Sequence, residues 1–230
     1  MSAVQNHLIA RLPRIDRQHL LAVCEPVELL LAQSLYTPSQ PTRHVYFPIN
    51  SFVSLVALVD QHPGLEVGMV GSEGMLGSQL GLGIGAAPLA ALVQGAGSAL
   101  RVKASAFRLE LARSTALLRC LHRYLYVVMS QQATSAACLH FHLIGPRLAR
   151  WLLMSQDRAH SDQFDITQAF LGYMLGVRRV TITMAAGELQ RSGLIAYRRG
   201  KITVLDRAGL EAVACSCYAA DRRLYARLMH

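Results

Sequence analysis

The sequence predicts an α+β protein in three successive parts. The first part carries short apolar runs, such as Phe52–Val59 and Leu65–Val70, separated by turn-forming residues, which is the pattern of a β-sandwich or barrel. Across Lys103–His142 the apolar residues recur at helical spacing. From Ile144 onwards, several helical segments flank one short pair of strand-like runs. We therefore expect a β-rich domain, a long helix and a mainly helical C-terminal domain.

The composition indicates a folded protein with an anionic partner. The chain has 230 residues, of which 52% are hydrophobic and 16% charged, so it can build one large or two ordinary cores. Its formal net charge is +9, which suits nucleic acid first and an anionic membrane second. The segment from Ile144 to the end contains 13 Lys and Arg residues but only 7 Asp and Glu residues. Most of the excess charge therefore lies in the C-terminal part.

We expect a cytoplasmic protein with no membrane segment. The uncharged stretch Gly74–Leu100 is 27 residues long, but its seven glycines and Pro88 argue against a transmembrane helix. The first residues, Met1–Arg14, lack the order of a secretion signal. An odd number of scattered cysteines favours reduced thiols over a disulfide framework. The cysteines are Cys24, Cys120, Cys138, Cys215 and Cys217.

The second half of the long helix predicts a dimer interface. From Leu118 to His142, residues at alternating spacings of three and four form the seam of a two-stranded coiled coil. The alternative is a helix that packs on its own domain. The residues predicted to form the seam are Leu118, Leu121, Leu125, Val128, Gln132 and Leu139, with Ser135 at the same spacing.

Two short helices in the C-terminal part predict a helix-turn-helix. Thr167 can cap a helix whose buried face is Phe170, Leu171 and Met174, and Gly176 can end it. A second helix is expected from about Arg179 to Arg191. Helices joined by a turn that contains glycine form this motif.

A basic hairpin is expected directly after the second helix. Leu194–Tyr197 and Lys201–Leu205 are strand-like, and the turn between them holds two arginines and a glycine. The start of the second helix should enter the DNA major groove, where arginine reads guanine. The alternative is that these arginines are a solvated helix start. The expected base-reading or helix-positioning residues are Arg178, Arg179, Thr181 and Thr183, and the expected phosphate contacts are Thr167, Gln168, Arg198, Arg199 and Lys201.

These motifs resemble those of the Crp/Fnr family of bacterial transcription regulators. The resemblance rests on Ile166-Thr167-Gln168, on Leu175-Gly176-Val177-Arg178-Arg179 at the turn, and on Gly193-Leu194-Ile195 before the hairpin. It implies a β-roll sensor domain like the cyclic-nucleotide-binding jelly roll, a long dimerisation helix and a winged helix-turn-helix with a C-terminal helical extension. The predicted bounds are 1–113, 114–142 and 143–230. The extension after the hairpin is similar to the one found in family members that do not depend on cyclic AMP.

The sequence departs from the family pattern at the sites that would bind ligand and DNA. Pro88 and Leu89 stand where cyclic-nucleotide binders carry an arginine and a hydroxyl residue, so we expect no cyclic AMP binding in the usual mode. Val180 and Met184 replace two of the family's base readers, so the operator should differ. A single cysteine before Cys120 excludes the family's iron–sulfur chemistry, and no cofactor is predicted. An unidentified effector would use a pocket formed by Glu66, Gly77, Ser78, Pro88, Leu89, Gln132 and Ser135.

The remaining reactive side chains do not predict an enzyme or a metal site. Glu66 and Glu73 have no nucleophile–base arrangement around them. Cys215 and Cys217 could be half of a zinc site, but the sequence offers no second ligand pair nearby, so ordinary thiols are expected, with redox or metal sensing as the alternative. His140 and His142 could ligate haem or a metal, but two histidines on a helix are expected at a polar surface or interface.

We therefore expect a homodimeric transcription regulator that binds double-stranded DNA at a near-palindromic operator, with RNA polymerase as a further partner. The alternative is a ligand-binding or dimerisation module that does not bind DNA.

Overall fold

The computed structural model describes residues 6–60 and 64–229, and it confirms the predicted α+β class. The chain divides into two compact units. The first comprises Met1–Leu55, Met69–Met129 and Tyr225–His230, and the second comprises Val56–Gly68 and Ser130–Leu224.

The β-rich part begins with two short helices and continues through seven strands. The helices are α1 (His7–Ala10) and α2 (Arg14–Ala22), and the strands are β1 (Glu25–Leu29), β2 (Ser34–Tyr36), β3 (His44–Pro48), β4 (Phe52–Ala57), β5 (Leu65–Val70), β6 (Ala90–Gly95) and β7 (Gly97–Lys103). Strand β7 lies between β1 and β3 in one antiparallel sheet, and the other sheet has the order β2-β6-β4-β5. A short 3-10 helix, Ser78–Leu82, connects β5 to β6.

The core of the first unit is built from the inward-facing residues of these strands. Leu29, Val53, Val93 and Ala99 are almost fully buried in one cluster. A second cluster joins Phe47 to the helices of the same unit. Alternating burial along strands is what two packed antiparallel sheets require.

The predicted long helix is broken into two at Ser114. Helix α3 (Ala104–Arg113) ends there, and α4 (Thr115–Phe141) begins after it. The break has a local cause, since the Ser114 hydroxyl accepts a hydrogen bond of 3.0 Å from the backbone N–H of Leu117.

Leu121 does not have the exposed position that the predicted seam requires. Its side chain is 1% exposed in the single chain, and it belongs to the core cluster of the first unit. It packs so closely on Gly81 that a Cβ there would lie 2.5 Å from a Leu121 methyl group. By contrast, Leu118, Leu125 and Val128 are only partly buried. Placing Leu121 in the seam was therefore wrong, because this part of the helix face is already covered by the chain's own core.

The second unit contains most of the helices and a three-stranded sheet. The elements are α5 (Ile144–Ala159), β8 (Gln163–Asp165), α6 (Gln168–Leu175), α7 (Arg179–Arg191), β9 (Ile195–Arg198), β10 (Lys201–Val204), α8 (Arg207–Val213) and the first eight residues of α9 (Cys217–Leu228). Helix α5 packs on α7 and α8, and Leu148, Leu171, Ile182 and Leu210 are fully buried. Across the described residues, every helix is too short or too polar to cross a membrane.

Candidate nucleic-acid interface

Helices α6 and α7 form the predicted helix-turn-helix. Thr167 caps α6, since its Oγ1 accepts a hydrogen bond of 3.1 Å from the backbone N–H of Phe170. Gly176 ends the helix in the left-handed conformation with φ of 66°. Gly172 permits a close turn, because a Cβ there would lie 2.8 Å from the carbonyl oxygen of Val177. Leu171 and Met174 are buried as expected, whereas Phe170 is half-buried.

The first turn of α7 exposes two arginines. Arg178 is the extended residue before the helix, and its side chain makes no capping hydrogen bond. Arg179 follows as the first helical residue and is also exposed. Val180 and Met184 are 60% and 66% exposed, so the two residues that replace family base readers face outward. In helix-turn-helix proteins that bind DNA, the bases are contacted by side chains near the start of the second helix.

One hydrogen bond joins the exposed faces of α6 and α7. The hydroxyl of Thr183 lies 2.7 Å from the side-chain oxygen of Gln168 and donates to it. The same hydroxyl lies 3.1 Å from the carbonyl oxygen of Arg179, one helical turn earlier. Gln168 and Thr183, which were predicted for different roles, are therefore neighbours.

Strands β9 and β10 form a hairpin with a two-residue turn. Arg198 pairs with Lys201, and the turn residues Arg199 and Gly200 have φ of 51° and 80°. Two left-handed residues define the turn that matches the twist of a hairpin. Arg198, Arg199 and Lys201 are exposed. Three cations thus lie in or directly beside the hairpin turn.

Strand β8 anchors this hairpin to the start of α6, and sequence reasoning missed it. Asp165 pairs with Lys201 across the sheet, and the N–H of Ile166 donates to the carbonyl oxygen of Gly200 over 2.6 Å. The hydroxyl of Tyr197 donates to the carbonyl oxygen of Ile166 over 2.7 Å. Burial raises the pKa of Tyr197, and the positive charge of Arg179 opposes that rise. The hairpin and the helix pair are therefore joined by hydrogen bonds.

All nine residues predicted to contact DNA lie in the second unit. Gln168 and Thr181 are half-buried and the other seven are exposed. Their contacts with nucleic acid remain a prediction.

The predicted effector residues fall into two groups. Glu66 and Ser135 line one small cavity of the second unit, together with Arg150 and Trp151. The Trp151 indole donates to the Glu66 carboxylate over 2.9 Å, and Arg150 donates to the Ser135 hydroxyl over 3.3 Å. Gln132 belongs to the same unit and is half-buried.

The other four effector residues belong to the first unit. Gly77 adopts φ of 89°, and Ser78 starts the 3-10 helix. Pro88 is exposed and Leu89 half-buried. The pocket itself stays a prediction.

One group of side chains contradicts the sequence argument about Cys215 and Cys217. Cys138 and His142 lie beside them, and the four possible ligand atoms are all within 4.8 Å of one another. The expectation that no second ligand pair is nearby was wrong, because Cys138 in α4 and His142 just after it supply one from a distant part of the chain. The spacing of Cys138 and His142, one helical turn apart, was the available signal.

The comparison with family models and the comparison with solved structures both find Crp-type transcription regulators. Residues 146–213 match the model of the Crp-like helix-turn-helix domain. A search of curated protein sequences found no match.

Solved structures with the same fold include several transcription regulators. FixK2 from Bradyrhizobium japonicum superposes with a TM-score of 0.71 at 17% identity, covering 84% of this chain and 98% of that one. The c-di-GMP responsive global regulator CLP of Xanthomonas campestris gives 0.66 at 19% identity, covering 84% and 100%. A CRP/FNR-family regulator of Thermus thermophilus gives 0.67 at 22% identity, covering 83% and 98%.

At these identities the structural likeness shows the fold, and the domain match identifies the segment that carries the helix pair and the hairpin. The resemblance predicted from the turn and hairpin motifs is confirmed. Residues 146–213 form a Crp-like helix-turn-helix domain, and the chain has the fold of solved transcription regulators of the Crp/Fnr family.

Proposed function

We propose that the chain acts as a homodimer that binds a near-palindromic DNA operator. Each α7 would lie in the major groove of one half-site, with the centres of the half-sites about 34 Å apart. The proposed domain bounds are 1–113 for the sensor, 114–142 for the dimerisation helix and 143–230 for DNA binding. A regulator of this kind would work in the cytoplasm and would meet RNA polymerase at the promoter.

The arrangement of cations around α7 is the observation that supports this function most directly. Arg178 and Arg179 are exposed at the helix start, and the exposed Arg199 lies at the turn of a hairpin that hydrogen-bonds to the same motif. In the proposed complex, Arg179 reads a guanine edge through two hydrogen bonds, because the guanidinium plane matches O6 and N7. Arg178, Thr181 and Thr183 read bases or position the helix.

The phosphate contacts would come from both sides of α7. Thr167 and Gln168 would bind phosphates at the start of α6. Arg198, Arg199 and Lys201 would bind them from the hairpin. Such contacts contribute affinity for any sequence and depend strongly on salt.

The proposed dimer contact uses the predicted seam without Leu121. Leu118, Leu125 and Val128 are half-buried in the single chain, so each retains apolar surface for a partner. Gln132 and Leu139 continue the seam. Sedimentation of the full chain should give twice the monomer mass, and Leu125→Lys should shift it to the monomer.

The effector is proposed to be something other than cyclic AMP bound in the usual way. Pro88 and Leu89 offer no side-chain hydrogen-bond donor for a cyclic phosphate. An affinity for cyclic AMP in the micromolar range, lost when Pro88 and Leu89 are changed, would overturn this part of the proposal.

Selection of bound DNA from a random pool tests the function as a whole. The wild-type chain should enrich a two-fold symmetric motif. Arg179→Ala should lose one base preference in each half, while Arg14→Ala, which removes an equal exposed charge from α2, should keep the motif. Failure to enrich any motif at low salt would favour the alternative of a module that does not bind DNA.

A further inference from the structure

A cluster of three cysteines and one histidine lies in the second unit, outside the DNA-contacting face. Cys138 lies in the last turn of α4 and His142 directly follows the helix. The backbone N–H of His142 donates to the carbonyl oxygen of Cys138 over 3.1 Å, which continues the helical turn and places the two side chains close together. Cys215 lies in the short connection between α8 and α9, and Cys217 is the first residue of α9. The backbone N–H of Cys215 donates to the carbonyl oxygen of Pro146 over 3.3 Å, which fixes this connection on α5. The three cysteines are buried and the histidine half-buried.

The spacing of the ligand atoms fits one ion with four ligands. The Sγ atoms of Cys138 and Cys215 lie 3.5 Å apart, and Cys217 Sγ lies 3.6 Å from His142 Nδ1. A tetrahedral zinc ion, with bonds of about 2.3 Å to sulfur and about 2.0 Å to nitrogen, holds its ligand atoms roughly 3.3–3.8 Å from one another. Since the longest separation in the cluster is below 4.8 Å, small side-chain movements suffice to close the site.

The geometry argues against the other chemistries of clustered cysteines. A disulfide needs its sulfur atoms at about 2.05 Å, and all five cysteines are free. An iron–sulfur cluster spreads its ligands over several irons, which would keep the sulfurs wider apart than they are here.

The surroundings suit an anionic group. Three thiolates and one neutral imidazole around a divalent ion carry a net charge of −1. Arg147 and Arg150 are buried on the neighbouring helix α5, and both line the same small cavity as Cys138. Arg150 also pairs with Asp221 over 2.8 Å, so it is held in place.

Binding of the ion would displace the protons of the three thiols and release them to solvent, so zinc affinity should rise with pH.

We propose that Cys138, His142, Cys215 and Cys217 bind a single zinc ion. Thiolate and imidazole ligands in tetrahedral arrangement select zinc among the common divalent metals, and four protein ligands leave no open position for a substrate. The ion is therefore structural. It fastens the connection between α8 and α9 to the end of α4, and it does so whether or not the chain binds DNA.

Metal analysis of the full chain tests this proposal. Protein purified under reducing conditions, supplied with Zn²⁺ and freed of loose metal by gel filtration, should retain one zinc per chain. Cys215→Ser should lower zinc affinity by more than the roughly 10–100-fold that follows loss of an outer-sphere partner. Cys24→Ser and Cys120→Ser are matched controls, because both thiols are half-buried outside the cluster, and they should retain the ion.

A second measurement keeps the test clear if the serine variant folds poorly. Wild-type protein stripped with a chelator and titrated with Co²⁺ should develop the visible bands of tetrahedral cobalt and near-ultraviolet sulfur-to-cobalt charge transfer. One equivalent of Zn²⁺ should abolish both. Zinc content below one tenth of an equivalent in the wild type, or equal zinc content in wild type and Cys215→Ser, would overturn the proposal. So would a cobalt spectrum without sulfur bands.

Discussion

The hydroxyl of Thr183 on α7 donates a 2.7 Å hydrogen bond to the side-chain oxygen of Gln168 on α6. This contact holds the amide of Gln168 with its oxygen towards α7, which leaves the NH₂ group to donate elsewhere. The proposed phosphate contact of Gln168 is therefore preorganised by a residue of the proposed reading helix.

Thr183→Val should weaken DNA binding for all sequences by about 0.5–1.5 kcal/mol, the cost of ordering a freed side chain on binding. Valine keeps the branched shape of threonine and removes only the hydroxyl. Anisotropy titrations with operator and unrelated DNA would measure both affinities. In a double-mutant cycle with Gln168→Ala, the two effects should not add. Additive losses would mean that Thr183 contacts DNA independently of Gln168.

Arg179→Ala should reduce specific binding by about 1–3 kcal/mol and relax the preference at one base position. Arg179 is the first residue of α7 and is exposed, so the change should leave the fold intact. Competition between the operator and its single-base variants measures the effect. An equal fall in affinity for every DNA sequence would show that Arg179 contacts a phosphate and does not read a base.

Arg199→Asn should flatten the salt dependence of binding by about one unit of the log–log slope and lower affinity for all sequences alike. Arg199 has φ of 51°, a conformation that asparagine tolerates better than most residues, so the turn should be kept. Titrations at several salt concentrations, together with the melting temperature of the variant, separate lost charge from lost structure. A loss confined to the operator would contradict this role.

Gly172→Ala should destabilise the second unit, although alanine favours helices. Its Cβ would meet the carbonyl oxygen of Val177 at 2.8 Å, and overpacking of this kind costs about 1–3 kcal/mol. Gly187→Ala is the matched control in α7, where the nearest atom is the end of Arg191 at 3.5 Å. That variant should be neutral or gain up to about 1 kcal/mol. Thermal unfolding distinguishes them, and equal stability of the two variants would refute the close approach.

Short-range chemistry made the helix-turn-helix predictable. The cap at Thr167 and the left-handed glycines at 176 and 193 act on residues two to four positions away. The start and the end of each helix can therefore be predicted from the local sequence. Strand β8 has only three residues, and it exists because β10 pairs with it from a later part of the chain. No local sequence pattern could therefore predict this strand.

The errors had a common physical cause. Helical spacing correctly put Leu121 and Leu118 near one another on α4, but spacing does not say whether a second chain or the chain's own core covers a face. Cys138 and Cys215 are 77 positions apart, and only the fold of the second unit brings their sulfurs together. Long-range proximity of this sort has no signature in a single sequence.

The three-stranded sheet has a consequence for how new operators could arise. Because β8 ties the hairpin to the chain entering α6, the proposed phosphate-binding cations and the proposed reading helix are held together by hydrogen bonds. The side chains of Val180 and Met184 are exposed and lie outside these contacts. In the proposed complex, exchanges at these two positions would alter which bases are read while the phosphate contacts stay the same, so related regulators would diverge in target without rebuilding the fold.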